Sequence, residues 1–213
     1  MQRIDMIKRL LTAVLVTATV MCVLCSASAA KAQITVVFVV KDEAIDGDGH
    51  VSSKAGKMTA LDDVIDIATE KGLKMAFFFD SGVKYDSDYV GAVIRLHTAG
   101  QYFGVVYSSL EQVKTALIYE KYAVKYASRL VLGDAKTQIP NGIGLCSYTY
   151  DVYCATPGQI TAVFDGDCDK MTVAIEINDS TAADIVALLN EITDRYTVMT
   201  VTQTGRLMQG KAG

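Results

Sequence analysis

Carboxylate side chains recur directly after the apolar, β-branched runs of this sequence. The run at residues 34–40 is followed by Asp42, a second run ends at Asp80, and a later one ends at Asn178 and Asp179. Because the carboxyl ends of parallel strands meet at one edge of a sheet, these groups are expected to surround one groove. Paired carboxylates perform acid–base chemistry on glycosidic or ester bonds. Asp42, Asp80 and Asp179 are therefore the candidate catalytic residues.

The segment SYTYDVY, residues 147–153, alternates tyrosines with polar residues near the expected strand ends. Tyrosine rings are large and amphipathic, and sugar rings stack on their faces. This pattern favours a ligand groove lined by aromatic and polar side chains. The residues predicted to line it are Asn178, Tyr148, Tyr150, Asp151 and Asp134.

The same segment also has a purely structural interpretation. Cys146 and Cys154 flank it and are candidates for a disulfide in an oxidising compartment. Cys168 is the third cysteine of residues 33–213, so other pairings stay open. A loop held by a disulfide explains the tyrosines without a ligand.

Metal and cofactor ligands are scarce in the sequence. There are two histidines, His50 in a polar loop and His97 on the apolar stripe of a predicted helix, where packing is its expected role. The cysteine spacing does not match a zinc site. Dinucleotide, P-loop and serine-hydrolase motifs are also missing from the sequence. We therefore predict neither a metal nor a cofactor.

Residues 1–32 have the pattern of a secretory signal peptide, with basic residues, an apolar core and small residues before Gln33. The alternative is an uncleaved anchor, the one case in which membrane association is expected. In both cases the predicted location is secreted or extracytoplasmic. Residues 33–213 contain 16 basic and 23 acidic residues, a formal charge of −7. This charge disfavours nucleic acid as a partner.

Apolar runs alternate with segments of helical periodicity, which predicts a single α/β domain over residues 33–213 with a parallel sheet. QITAVFD, residues 159–165, is expected to be a short strand. Tyrosines 119, 122 and 126 recur at helical spacing and are expected to pack. Helices are predicted near residues 61–71, 89–97, 110–126 and 181–195.

Three segments resemble the polysaccharide deacetylase family of carbohydrate esterases. LDDVIDIATEKGLKMAFFFDSG (61–82) is similar to a helix and strand of that family, and DSDYVGAVIRLHTAGQYFGVVYSS (86–109) to the unit that follows. TVAIEINDSTAADIVALLNEITDRYTVMTVTQTG (172–205) resembles the last unit of the family. The likeness lies in element order and hydrophobic pattern. It implies a distorted (β/α) barrel of about seven units with a groove at the strand ends.

The resemblance also implies a divalent metal, held by one aspartate and two histidines four residues apart, that activates a water. In this sequence the two histidine positions fall on Val106 and Leu110, which cannot bind a metal. Asn178 stands where the family has a catalytic histidine. The chain thus resembles a degenerate member of the family that lacks the metal-dependent activity.

Three functions follow as hypotheses. The first is an exported, catalytically inactive deacetylase-like domain that binds a carbohydrate or a partner at the cell surface, with cell-wall or extracellular polysaccharide as the expected ligand. The second is a divergent carbohydrate deacetylase or hydrolase that uses the groove carboxylates. The third is an interaction protein of an envelope or spore assembly with a vestigial groove. The sequence alone leaves open whether the chain is an enzyme.

Overall fold

The computed structural model describes residues 31–45, 59–134, 136–137, 144–166 and 168–201. The predicted signal peptide up to residue 30 and the loop that contains His50 lie outside these ranges. The described part of the chain contains eight strands in one sheet, and every pairing between them is parallel. The strands are β1 (Ala32–Val40), β2 (Ala76–Phe79), β3 (Tyr102–Val106), β4 (Leu130–Gly133), β5 (Cys146–Thr149), β6 (Val152–Cys154), β7 (Met171–Ile177) and β8 (Tyr196–Met199).

The order of the strands makes the sheet curl. The order is β5-β4-β3-β2-β1-β7-β6, and β8 pairs with the first half of β1. β5 and β6 stand at opposite ends of this order, yet only Tyr150 and Asp151 separate them in the chain. So short a segment spans roughly 11 Å at most, so the two edges of the sheet must approach each other. This is the distorted β/α barrel that the family resemblance implied.

Within the residues that the structure describes, five α-helices connect the strands. None of the helices in the described ranges is both long and apolar enough to cross a lipid bilayer. A short 3₁₀ helix, Asp42–Ala44, follows β1. The helices are α1 (Ala60–Glu70), α2 (Ser87–Thr98), α3 (Leu110–Val124), α4 (Pro157–Phe164) and α5 (Ala182–Arg195).

The two faces of the sheet bury different side chains. The outer face carries residues such as Phe38 and Phe77, which belong to one core with helical residues such as Leu61. A smaller cluster on the inner face contains Val37, Phe78 and other strand residues, but no residue of the five helices. Since side chains alternate along a strand, the residue two places after an inner one also points into the barrel. The same alternation determines which side chains point into the barrel at the carboxyl ends of the strands.

QITAVFD is a helix, α4, and the predicted short strand is wrong. Proline is favoured at the first position of a helix, and Pro157 occupies it here. The side chain of Gln159 accepts a hydrogen bond from the backbone N–H of Thr156 at 3.1 Å, as in a capping box. Ile160 and Phe164, one turn apart, bury a single face of this helix.

Two predicted packing roles are also wrong. The buried stripe of α2 passes through Leu96, and the adjacent His97 is exposed. Near the end of α3, Tyr119 packs against the outer core. Tyr122 instead is 72% exposed. Tyr126 is 56% exposed, but its ring packs edge-to-face against the buried Phe103, with centroids 6.3 Å apart. Helical spacing therefore showed which residues share one face of a helix, but not whether the core covers that face.

Candidate functional site

A chain of polar contacts crosses the inner face of the barrel at the carboxyl ends of four strands. The ammonium Nζ of Lys41 lies 3.0 Å from Oδ2 of Asp80 and 3.5 Å from Oε2 of Glu176. The hydroxyl of Tyr153 donates a hydrogen bond to the same Glu176 oxygen at 2.6 Å. The amide Nδ2 of Asn178 donates to Oε1 of Glu176 at 3.0 Å. We call these five residues the Lys41 network.

Strand alternation explains why these side chains meet. Val39 belongs to the inner cluster, and Lys41 follows it by two residues; Asp80 follows inner Phe78 in the same way. Ala174 is likewise an inner residue, two places before Glu176. The parallel register sets Val40 beside Phe79 and Ile177, so the carboxyl ends of β1, β2 and β7 lie at one level.

The electrostatics of the network favour a charged lysine. Burial alone would lower the pKa of Lys41, but the hydrogen bond and charge of Asp80, together with the charge of Glu176, outweigh it and raise that pKa. Burial and the bond to Glu176 raise the pKa of Tyr153. Lys41 therefore carries its proton at neutral pH, and the Tyr153 phenol is a hydrogen-bond donor.

Asn178 is held in place on all sides. Its Oδ1 accepts hydrogen bonds from the backbone N–H groups of Ser180 and Thr181, at 2.9 and 3.0 Å, and from the Ser180 hydroxyl at 2.7 Å. With Nδ2 on Glu176, the side chain links β7 to the turn before α5. In this arrangement Asn178 has a structural role in the floor of the groove.

Three tyrosines form part of the inner wall. Tyr148, Tyr150 and Tyr153 are half-buried and pack against the inner cluster. The rings of Tyr150 and Tyr153 are 5.6 Å apart between centroids and tilted by 45°. Burial raises the pKa of Tyr148 and of Tyr150, and the charge of Asp134 adds to the effect on Tyr150. The wall thus combines aromatic faces with phenol groups that stay protonated at neutral pH.

The other predicted carboxylates do not join the Lys41 network. Asp42 accepts a hydrogen bond from the Lys84 N–H at 3.0 Å and pairs with the Lys84 ammonium at 3.2 Å. Asp151 accepts from the Thr172 N–H at 2.7 Å. Asp179 lies exposed in the turn before α5.

The Asp134 carboxylate also makes only local hydrogen bonds, in the turn that follows β4. Its Oδ1 accepts hydrogen bonds from the Lys136 N–H at 2.9 Å and the Thr137 hydroxyl at 2.6 Å. The Thr137 bond, followed by that of Lys136, lowers the pKa of Asp134. Of the candidate catalytic residues, only Asp80 is in contact with a second charged group inside the barrel.

The residues present do not fit the metal site that the resemblance implies. Val106 ends β3 and packs against the inner cluster, while Leu110 begins α3. Neither side chain has an atom that binds a metal. In the described ranges, no three His, Cys, Asp or Glu side chains are grouped so as to hold one. The cation between Asp80 and Glu176 is the ammonium of Lys41.

The proposed disulfide between Cys146 and Cys154 is absent from the structure. Both residues are free thiols, Cys146 exposed and Cys154 buried, as is the buried Cys168. Cys146 begins β5 and Cys154 ends β6, and both strands run in the common direction of the sheet. The segment between them is extended instead of folding back, and extended chain separates its ends far beyond the reach of a disulfide.

Sequence reasoning missed Lys41, Glu176 and Tyr153 as one group. The alternation of β7 was the available signal, since Glu176 is a charged residue at an inward position of an otherwise apolar strand. Lys41 continues the inward positions of β1 in the same way. Their mutual contact depends on the neighbouring strand order, which the sequence alone did not give.

Comparison with solved structures identifies proteins that have a similar fold. No family model and no curated protein sequence matches the chain. Peptidoglycan deacetylase PdaC from Bacillus subtilis superposes with a TM-score of 0.62 at 16% identity, covering 85% of this chain and 94% of PdaC. BA3943, a CE4 family pseudoenzyme from Bacillus anthracis, gives 0.59 at 11% identity, over 79% of this chain and 64% of that one.

A third structure agrees. PdaA of Bacillus subtilis, a family 4 carbohydrate esterase, gives a TM-score of 0.57 at 12% identity, over 85% of this chain and 82% of PdaA. At such identities the similarity concerns the backbone and not the site. The parallel strand order, the curled sheet and these superpositions together show that the chain has the fold of the family 4 carbohydrate esterases, the polysaccharide deacetylases.

Proposed function

We propose that residues 33–213 form a deacetylase-like domain, exported by residues 1–32, that binds a cell-wall or extracellular polysaccharide without hydrolysing it. The observation that carries the proposal is the position of Lys41. Its ammonium lies between the carboxylates of Asp80 and Glu176 at the carboxyl ends of the barrel strands. A positive charge is thus part of the chain at the place where barrel enzymes carry out their chemistry.

Loss of the ancestral chemistry is supported by three further residues. Val106 and Leu110, at the proposed histidine positions, present only carbon atoms. Asn178, at the proposed position of the catalytic histidine, is 8% exposed and makes hydrogen bonds through both ends of its amide. A residue so occupied does not exchange a proton with a substrate.

Retained binding is supported by the tyrosines and by the exposure of the network. Between a seventh and a third of each charged side chain is in contact with solvent: 28% for Lys41, 24% for Asp80 and 14% for Glu176. Sugar sites combine stacking faces with a few fixed polar groups. The tilted pair Tyr150 and Tyr153, beside this network, provides both.

A hydrolase that uses groove carboxylates is the second candidate. It is favoured by one observation, the nearness of Asp80 and Glu176, which contact the same ammonium. Glycosidases likewise use two carboxylates that flank one bond. Lys41 occupies the space between the two carboxylates, however, so a substrate would have to displace it. We therefore place this function second.

The test measures binding and hydrolysis on the same sample. Acetylated chitin oligomers and peptidoglycan fragments are offered to the purified protein with and without cobalt, zinc or a chelator. Binding is expected, without acetate release under any condition. The Tyr150→Ala variant should bind at least about tenfold more weakly, the loss of one stacking contact. Tyr122→Ala, which removes a tyrosine exposed on α3, is the matched control.

Each result has a separate meaning. Acetate release that the chelator abolishes contradicts the proposal and restores a metal-dependent enzyme. Cleavage that persists with chelator and disappears in Asp80→Asn supports the hydrolase. Binding that is equal in wild type and Tyr150→Ala would place the ligand outside the inner wall.

A further inference from the structure

A pocket lies at the opposite end of the barrel from the Lys41 network. It has a volume of about 530 Å³ and lies between the end of α3 and the first residues of β4 and β5. This volume is within the usual range for small-ligand sites. Its wall includes the basic residues Lys121, Lys125 and Arg129, the ring of Tyr126 and the thiol of Cys146. Because β4 and β5 begin here, this is the amino end of the barrel.

The charge of the pocket contrasts with that of the domain. Residues 33–213 have a formal charge of −7, yet residues 121–129 contain three basic residues and no acidic one. Where the structure describes the chain, none of these three cations forms an ion pair. The Lys125 ammonium lies 5.9 Å from the centroid of the Tyr122 ring. Basic side chains without a paired carboxylate favour binding of an anion from solution.

Two of the three basic residues in the pocket have a left-handed backbone conformation. Lys125 and Arg129 have φ angles of +61° and +47°, in the left-handed region that glycine adopts most easily. They are two of the three non-glycine residues with positive φ in the described ranges. Lys125 is also the residue at which α3 ends, and its N–H donates to the Lys121 carbonyl at 3.1 Å.

The guanidinium of Arg129 fits beside Gly144 because glycine has no side chain. A Cβ atom at Gly144 would come within 3.0 Å of its Nη1, so the guanidinium lies against a residue with no side chain. Gly144 also has a positive φ of +68°. The backbone N–H of Cys146 donates to the carbonyl oxygen of Arg129 at 2.8 Å and ties the two pocket walls together.

The pocket also has an apolar surface. The Tyr126 ring is 56% exposed, and Ala127 and Leu130 add aliphatic carbon. Arginine binds carboxylates and phosphates through two parallel hydrogen bonds, and a tyrosine face suits the apolar side of a sugar. We propose that this pocket binds one anionic sugar unit, a saccharide that bears a carboxylate or a phosphate.

The choice of a sugar rests on the proposed function, whereas the anion follows from the pocket alone. If the groove and this pocket both bind, one acidic polysaccharide would contact two ends of the domain. The pocket is nevertheless independent of Lys41 and of the inner tyrosines, so its ligand is measurable when the groove is altered. The Tyr150→Ala variant should keep the affinity of the pocket unchanged.

The exposed thiol of Cys146 reports on occupancy. We measure its rate of maleimide labelling by mass spectrometry of the Cys146 peptide, in the purified protein at low salt. Glucuronate and glucose 6-phosphate should slow labelling several-fold, and more weakly as salt is raised, because salt screens exposed charges. Glucose is the neutral control and inorganic phosphate the sugar-free control, at equal concentrations. Both should protect much less.

Two substitutions separate binding from folding. Lys125→Gly and Arg129→Gly relieve a left-handed backbone, so each should leave the thermal midpoint unchanged or raise it by about 2–4 °C. Each should also weaken protection by the anionic sugars about tenfold, as expected for one lost charge-assisted hydrogen bond. Lys114→Ala removes a charge from an exposed site on the same helix, away from the pocket. It should keep full protection.

The remaining outcomes contradict the proposal. Protection by inorganic phosphate that equals that by glucose 6-phosphate would mean an anion site without sugar recognition. If glucose protected Cys146 as well as the anionic sugars do, or if protection were unchanged in Arg129→Gly, the basic residues would have no role in binding. A single-stranded oligonucleotide that protects Cys146 more strongly than both anionic sugars would assign the pocket to nucleic acid. Protection that disappears in Tyr150→Ala would tie it to the groove.

Discussion

Lys41 and Asp80 occupy the same level at the ends of two neighbouring parallel strands. Val40 pairs with Phe79 in the register of β1 and β2, and the Asp80 N–H donates to the Val40 carbonyl at 2.9 Å. The backbone thus fixes the spacing of the two residues, and their ammonium and carboxylate are 3.0 Å apart. Preorganisation of this kind lowers the entropy cost that makes most surface ion pairs weak.

The first prediction concerns the stability that Lys41 provides. Lys41→Met keeps much of the aliphatic stem and leaves Asp80 and Glu176 without their shared cation. We expect the free energy of unfolding at pH 7 to fall by about 1–2 kcal/mol. Urea denaturation of Lys41→Met, Asp80→Asn and the double variant gives the coupling energy.

The Lys84 and Asp42 pair is the control for this measurement, because the Lys84 side chain is 75% exposed. Lys84→Met should change the unfolding free energy by less than about 0.5 kcal/mol. Additive effects of Lys41→Met and Asp80→Asn would show that the close pair does not contribute to stability. Because the pKa of Lys41 is raised in the folded state, its contribution should persist at neutral pH and disappear only as the pH rises through that pKa.

The second prediction is a dependence of stability on pH that arises from Glu120. This residue of α3 is 1% exposed, and its Oε2 accepts a hydrogen bond from the Ser128 N–H at 2.7 Å. Burial, only partly offset by that bond, raises the pKa of Glu120 to about 7 from 4.5. The folded state therefore binds this proton more tightly than the unfolded state. Stability is highest below pH 4.5 for this group, and the loss is complete above about pH 7.

Glu120→Gln removes the ionisation and keeps an oxygen for Ser128. The variant should match wild type near pH 4.5 and exceed its unfolding free energy by up to about 3 kcal/mol at pH 8. Urea denaturation at several pH values tests this. Glu111→Gln, at an exposed position of the same helix, should leave the pH profile unchanged. Equal profiles for wild type and Glu120→Gln would mean that Glu120 is solvated in the native state.

The third prediction concerns the link from β7 to α5. Asn178→Ala removes the acceptor of two backbone N–H groups and the donor to Glu176. Loss of these hydrogen bonds is expected to cost about 1–2 kcal/mol. Asn190→Ala is the matched control, since its amide makes one exposed hydrogen bond to the Val186 carbonyl. Thermal unfolding of both variants should separate them, and a similar small effect would argue against a structural role for Asn178.

Much of the barrel was predictable because its strands are buried on both sides. β1 and β2 are continuous runs of apolar residues, and such runs are typical of parallel sheets. Gly100, at φ +66°, ends the turn after α2 where the sequence marked a stop. The Lys41 network was not predicted, because its members come from strands far apart in the sequence. The pairing of β1 with β2 and β7, and of β7 with β6, brings them together.

Other errors have local causes. An apolar octet such as α4 has no distinctive period, and the capping residues Thr156 and Gln159 were the better signal. The exposed Tyr122 was expected to pack because periodicity gives the spacing of residues and not which side of the helix the core covers. The predicted disulfide between Cys146 and Cys154 is absent because a short sequence separation does not imply a turn.

The last prediction tests whether Val106 and Leu110 stand at former metal positions. If the assignment is correct, histidines there should form a metal site with a carboxylate of the groove once Lys41 is removed. The variant Lys41→Ala, Val106→His, Leu110→His should bind one cobalt ion, with the visible absorption of a tetrahedral centre. The control carries Glu111→His in place of Leu110→His, which keeps the same number of histidines at a different spacing. Cobalt bound by both variants, or by neither, would show that the register taken from the family resemblance is wrong.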